Sequence, residues 1–384
     1  MISNVKMKLL SFLITMAFIG PSVSVPAFAI VNAGATCKTE GQVKTASGLR
    51  FLCVKFAGKL VWSQGSRVTK PKSTSKPIAV PRKYPSWQPP ISKLEISRAS
   101  RENFKSWLTS QSAGIENIGI SINPEIDTRK VQYITSTVKL TSRTLLQNQK
   151  PSPRMYISIG DSWAITEMKK DFPDLAGWSG SNVCYVPNPY AACAWPNFGI
   201  IFIISKSSAE WNSTNQGVLQ SVAHEYFHLV QDMLLRNSLG LDSGEIARKI
   251  PSWFFEGSAQ FIGTAYADVS GLALWNEIRN NEIQAYATGR GTNEPLSSFR
   301  ENLVDRPQPE GQSLRPYGIG MLASEFIVAS VGMERFLDVF SKLSSGMPFN
   351  EAFTAATGLG LEEFYSKFDS MRSQIGFFPV KNRK

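Results

Sequence analysis

From Gly217 to Asn237 the apolar residues Leu219, Val222, Ala223, Tyr226, Val230 and Met233 recur at three- and four-residue steps. That spacing predicts a helix with most of its surface buried. Upstream, Val131, Ile134, Val138 and Leu145 predict another helix, Met155 to Ile159 a strand, Trp163 to Lys170 a helix, and Phe198 to Ile204 a buried or edge strand. The cysteine loop from 184 to 193 links these last two. Asn212-Ser213-Thr214 forms an N-cap cluster, after which the pattern turns mainly helical. Helical spacing returns at Ile319, Leu322, Ala323, Phe326 and Ile327, at Phe336, Leu337 and Phe340, and at Phe364, Phe368 and Met371. Gly332, Gly346 and Gly358 are the expected helix stops. Sheet in the first half and helices in the second predict an α+β domain.

The amino terminus follows other rules. Residues 1–29 carry Lys6 and Lys8, an apolar run from Leu9 to Ile19, and Ala27-Phe28-Ala29 as a small-residue cleavage site, which predicts a secretory signal peptide. The run is too short to span a bilayer comfortably, and no transmembrane segment is expected in the mature chain. Thr36 beside Cys37 does not suit lipid attachment. The expected location is extracellular, with association to the cell envelope as a variant of it. In that setting four cysteines read as two disulfides, and proximity pairs Cys37 with Cys53 and Cys184 with Cys193. From Cys37 to Ser63 polar and apolar residues alternate between glycine-containing turns, so residues 30–65 are expected to form a small disulfide-containing β module.

Residues 66–83 hold Arg67, Lys70, Lys72, Lys76, Arg82 and Lys83 with prolines at 71, 77 and 81 and no acidic residue. This is a basic, semi-extended linker. Its charge suits weak contact with an anionic cell envelope. The net charge of +11 does not argue for nucleic acid, because no recognition fold or interleaved aromatic pattern accompanies it. The main domain is expected over residues 84–384, and with 42% hydrophobic residues the chain can bury a large core.

The chemistry lies on the helix with which the pattern began. His224, Glu225 and His228 form H-E-x-x-H, and one helical turn brings both imidazoles to one face. They are the chain's only 2 histidines. Two ligands leave zinc under-coordinated, so a third must come from elsewhere. The stretch from Ser252 to Phe261 supplies it: Pro251 can open a helix, and Gly257 and Ala259 are small enough to let that helix approach the first closely. Glu256 is then presented inward amid Trp253, Phe254, Phe255 and Phe261, where a carboxylate needs a partner. Because neutral imidazoles are required, zinc affinity should fall below about pH 6.

HEYFH followed by WFFEGSAQF resembles the gluzincin metallopeptidases, with their H-E-x-x-H and later E-G-x-A stretch, over about residues 198–375. The resemblance implies a zincin-like domain, one zinc ion per chain held by His224, His228 and Glu256, and Glu225 as general base toward a zinc-activated water. It also implies a substrate-lining edge strand ahead of the metal helix, a place that Phe198 to Ile204 would fill. The gap from His228 to Glu256 is wider than in the best-known members, which suggests an inserted loop around Asn237 to Lys249. No G-x-M-E-N run of the aminopeptidase branch occurs. Gln260 stands where some members carry an aspartate, making an amide the expected partner of a histidine. With no third histidine, the oxyanion donor expected is Tyr317, followed by Arg315 and Tyr266.

The function expected is that of a secreted zinc-dependent peptidase acting on a peptide or protein substrate. The alternative is a non-catalytic envelope-binding protein with a structural zinc site, which would have no use for Glu225.

Overall fold

The computed structural model describes residues 34–39, 41–46, 49–56, 59–63, 66–67, 87, 93–111, 116, 118–145, 152–178, 180, 183–184, 190–212, 217–239, 250–272, 275–287, 295–299 and 316–372. The expected leader, Ser213 and Thr214 of the N-cap cluster, residues 240–249 of the expected inserted loop, Arg315 and nearly all of the basic linker lie outside them; residues 237–239 of that expected loop are helical instead.

Two sheets are present. The first is antiparallel: β1 (Val43–Ala46), β2 (Leu49–Phe56) and β3 (Lys59–Trp62) lie in that order, and β4 (Ser66–Arg67) also pairs with β2. Pairing therefore continues into residues expected to begin the linker. A Cys37–Cys53 disulfide braces this module over its own small core of Phe51, Cys53 and Trp62.

The second sheet has the order β5 (Gly119–Ile122), β6 (Arg154–Ile159), β8 (Ile200–Ser205), β7 (Tyr190–Trp195). The first three strands are parallel, and β7 runs antiparallel to β8. Parallel neighbours need crossovers, and α2 (Thr128–Leu145) supplies one between β5 and β6. Between β7 and β8 the chain turns through Pro196–Phe198 and Gly199, whose φ of 66° is left-handed and suits glycine. Six consecutive residues of β8, Ile-Ile-Phe-Ile-Ile-Ser, are buried, as a strand covered on both faces requires. The strand expected at the sheet edge is thus central, and Phe198 falls in the turn before it. The edge on its side of the sheet is β7, hydrogen-bonded among the described residues to β8 alone, with β5 at the opposite edge.

Alternation sorts the side chains of this sheet. Met155, Ile157, Ile201 and Ile203 face the main helical core, with Ala192 and Ala194 of β7 packed beside them. Tyr156, Ile200, Phe202 and Ile204 face the other way, together with Cys193 and Trp195. Val61 of the module joins that second cluster, and β4 runs beside the helix that carries His224 and His228.

The other long elements among the described residues are helices: α1 (Lys93–Ser110), α3 (Asp161–Asp171), α4 (Ser208–Asn212), α5 (Gly217–Leu239), α6 (Ser252–Ala267), α7 (Trp275–Ala287), α8 (Pro316–Ser344), α9 (Phe349–Thr357) and α10 (Leu361–Met371). The architecture is α+β and mostly helical. α6 is buried along nearly its whole length and packs on both α5 and α8. Gly257 and Gly320 permit the second of these contacts, since a Cβ on Gly257 would lie 2.2 Å from the Gly320 carbonyl carbon. Gly332, at φ 81°, kinks α8, and Gly358, at φ 74°, caps α9. α8 is the one described helix long and apolar enough to cross a membrane, and 78% of its apolar window is buried in the core.

Candidate metal centre

α5 and α6 bring three expected ligands together. His224 Nε2 lies 3.1 Å from His228 Nε2 and 3.6 Å from Glu256 Oε2, and His228 Nε2 lies 3.3 Å from the same oxygen. A tetrahedral ion bound at about 2.0–2.1 Å holds its ligands about 3.3 Å apart, so the three separations fit one small cation. All three side chains are buried, and the group can hold a metal ion.

Electrostatics agree with the geometry. Burial pulls the His228 pKa down, but Glu256 and Glu225 override it and raise it to about 9. Burial likewise pushes the Glu256 carboxyl up, and the two histidines outweigh that and lower it to about 2. The cluster therefore demands a positive charge at its centre, whether a proton or a metal.

Glu225 sits beside this group and is itself buried. Burial raises its pKa against the opposing pull of His224 and His228, with Glu256 adding to the rise. The edge strand β7, which carries Ala194, packs against α5. From beneath, β7 is tied down by the Cys184–Cys193 disulfide and by the Trp195 indole N–H donating to the Val183 carbonyl at 3.0 Å.

Tyr317 opens α8 with its ring centroid 6.0 Å from that of His224, and it is 37% exposed. The structure thus brings the first-choice donor to the rim of the site. Tyr266 is elsewhere: it is fully buried against Phe104 and its hydroxyl pairs with Thr144 Oγ1.

Two expectations about supporting residues are corrected. Gly257 opens the contact with α8, and the close approach of α6 to α5 is made by Gly263, where a Cβ would lie 2.7 Å from the Gln220 carbonyl oxygen and 3.1 Å from His224 Cβ. The amide beside a histidine belongs to Gln231, whose Oε1 is 2.8 Å from His228 Nδ1. Gln260 instead accepts, through its backbone carbonyl, a bond from Gln220 Nε2 at 3.3 Å.

The strand β7, which packs on α5, was not expected from the sequence because its run of alanines carries no strand pattern. All four cysteines form the two disulfides expected. Compared with family models, characterised proteins and solved structures, the chain matches none.

Proposed function

We propose that this chain is a zinc metallopeptidase that works outside the cytoplasm. The observation that carries this reading is a buried glutamate, unused as a ligand, held beside three ligand atoms at tetrahedral separations. A purely structural metal site needs no such group.

Zinc bound by His224, His228 and Glu256 supplies a Lewis acid and makes water acidic enough to be deprotonated near neutral pH. Glu225, its pKa raised by burial, takes up a proton from the attacking water and returns it to the leaving amine nitrogen. Tyr317, at the rim beside His224, donates its hydroxyl to the oxygen that gains charge as the carbonyl becomes tetrahedral. The edge of β7 offers an extended peptide a strand to lie along, and Ala192 and Ala194 leave room for its side chains. Two disulfides are compatible with an oxidising, extracellular setting, in keeping with secretion.

The test incubates the zinc-loaded chain with a diverse peptide library and reads the cut sites by mass spectrometry. Cleavage is expected, abolished by a zinc chelator and reduced by several orders of magnitude in Glu225→Gln, which matches the carboxylate in size but cannot accept the proton. An intact library, or a Glu225→Gln variant that cuts as fast as the parent, would refute the reading. Zinc retained in an inert wild-type chain would favour the structural-zinc alternative.

A further inference from the structure

We propose that Gln231 is a positioning residue of the metal centre, whose amide sets the tautomer of His228 and locks the two ligand-bearing helices together. This rests on the metal-site reading above.

Gln231 is fully buried on α5, and its Nε2 donates to the Phe255 carbonyl oxygen at 2.9 Å and to Ser258 Oγ at 2.9 Å, both on α6. A backbone carbonyl can only accept, so the group facing Phe255 is the NH2. The group facing His228 is then the amide oxygen, which also can only accept. At 2.8 Å from it, His228 Nδ1 must carry a hydrogen. A neutral imidazole protonated at Nδ1 keeps its lone pair on Nε2, the atom that faces His224 and Glu256. The backbone of one ligand helix thus dictates, through a single side chain, where the lone pair of the other helix points.

The placement has a second effect. Phe255 directly precedes the ligand Glu256, and its ring stacks on His228 with centroids 4.8 Å apart and planes 26° from parallel. His228 is therefore held at its edge by Gln231 and across its face by Phe255. His224 is treated differently: its buried Nδ1 has no partner among the described residues. His228 and Glu256 form the rigid half of the site, and Gln231 is the strut that makes them so. Burying a glutamine costs free energy that a leucine would not, and both ends of this amide are spent on ligand-bearing elements.

Zinc affinity is measured by competition with a chelator, and the imidazole N–H protons of the zinc-loaded protein are followed by NMR with nitrogen-15 histidine. Gln231→Leu is expected to weaken zinc binding about 10- to 100-fold and to remove the hydrogen-bonded Nδ1–H signal of His228. Gln231→Glu, which keeps an oxygen acceptor at Nδ1, is expected to retain that signal and to recover most of the affinity. If Gln231→Leu fails to fold, Gln231→Glu decides alone: a folded variant that loses the signal overturns the proposal. Gln231→Leu binding zinc within about threefold of wild type, with the signal in place, also overturns it. A wild-type chain that takes up no zinc instead defeats the metal reading beneath.

Discussion

Gly263 lies where α6 crosses α5, and replacing it by alanine tests how far that crossing sets the first ligand. The new methyl carbon would lie 2.7 Å from the Gln220 carbonyl oxygen and 3.1 Å from His224 Cβ, where ordinary contact begins at 3.4 Å. The shortfall is about 0.7 Å against a helix backbone, which cannot swing aside as a flexible side chain can. Metal–ligand distances tolerate only about 0.2 Å, so His224 Nε2 is carried out of ligating position. Overpacking costs about 1–3 kcal/mol, while alanine's better helix propensity returns about 1 kcal/mol. The metal-free chain should therefore lose about 2 kcal/mol at most. Zinc affinity should fall at least about tenfold, or about 1.4 kcal/mol. Chelator titration measures the second effect and thermal melting of the metal-free protein the first. Wild-type zinc affinity in a folded Gly263→Ala chain would show that the helices yield elsewhere and refute the reasoning.

Tyr317→Phe keeps the ring beside His224 and removes only the hydroxyl, so kcat should fall by about a hundredfold with substrate binding little changed; a kcat within about threefold of wild type would remove Tyr317 from the mechanism. The pH dependence follows from His228. Its pKa of about 9 in the metal-free fold exceeds the ordinary histidine value of 6.5, so the stability it contributes is complete below about pH 6.5 and is lost as pH rises through about 9. Zinc must displace that proton, so its affinity should rise about tenfold per pH unit up to about pH 9, well above the pH 6 limit that free imidazole chemistry suggests. Affinity that stays flat between pH 7 and 9 would contradict this account.

The candidate metal ligands were legible because a helix converts sequence spacing into direction: four residues bring His224 and His228 to one face whatever the tertiary fold. Glu256 was legible because a carboxylate among Trp253, Phe254 and Phe255 has few alternatives to a buried partner. The edge strand was not legible. Tyr190 to Trp195 reads Tyr-Ala-Ala-Cys-Ala-Trp, with no β-branched residue and no polar alternation, while the apolar run of β8 drew attention to the neighbouring central strand. Nor could sequence decide which glycine meets which helix. Gly257 and Gly263 lie nearly two turns apart on α6, and only the packed structure assigns one to α8 and the other to α5. The helix α1 also escaped, because charged residues lie between its buried Ile96, Phe104 and Trp107. The partner of His228 depended on tertiary detail of the same kind, since a side-chain amide has no spacing signature of its own.

The membership of Val61 in the core cluster beneath the sheet bears on how the chain can be divided. The basic, proline-bearing stretch invites a cut that would free the main domain for expression. A chain begun there loses the cover over part of its second core cluster, together with the strand β4 that runs beside α5. The amino-terminal module thus contributes to the apolar packing on the underside of the sheet, and a shortened chain meant to isolate the candidate metal centre should retain it.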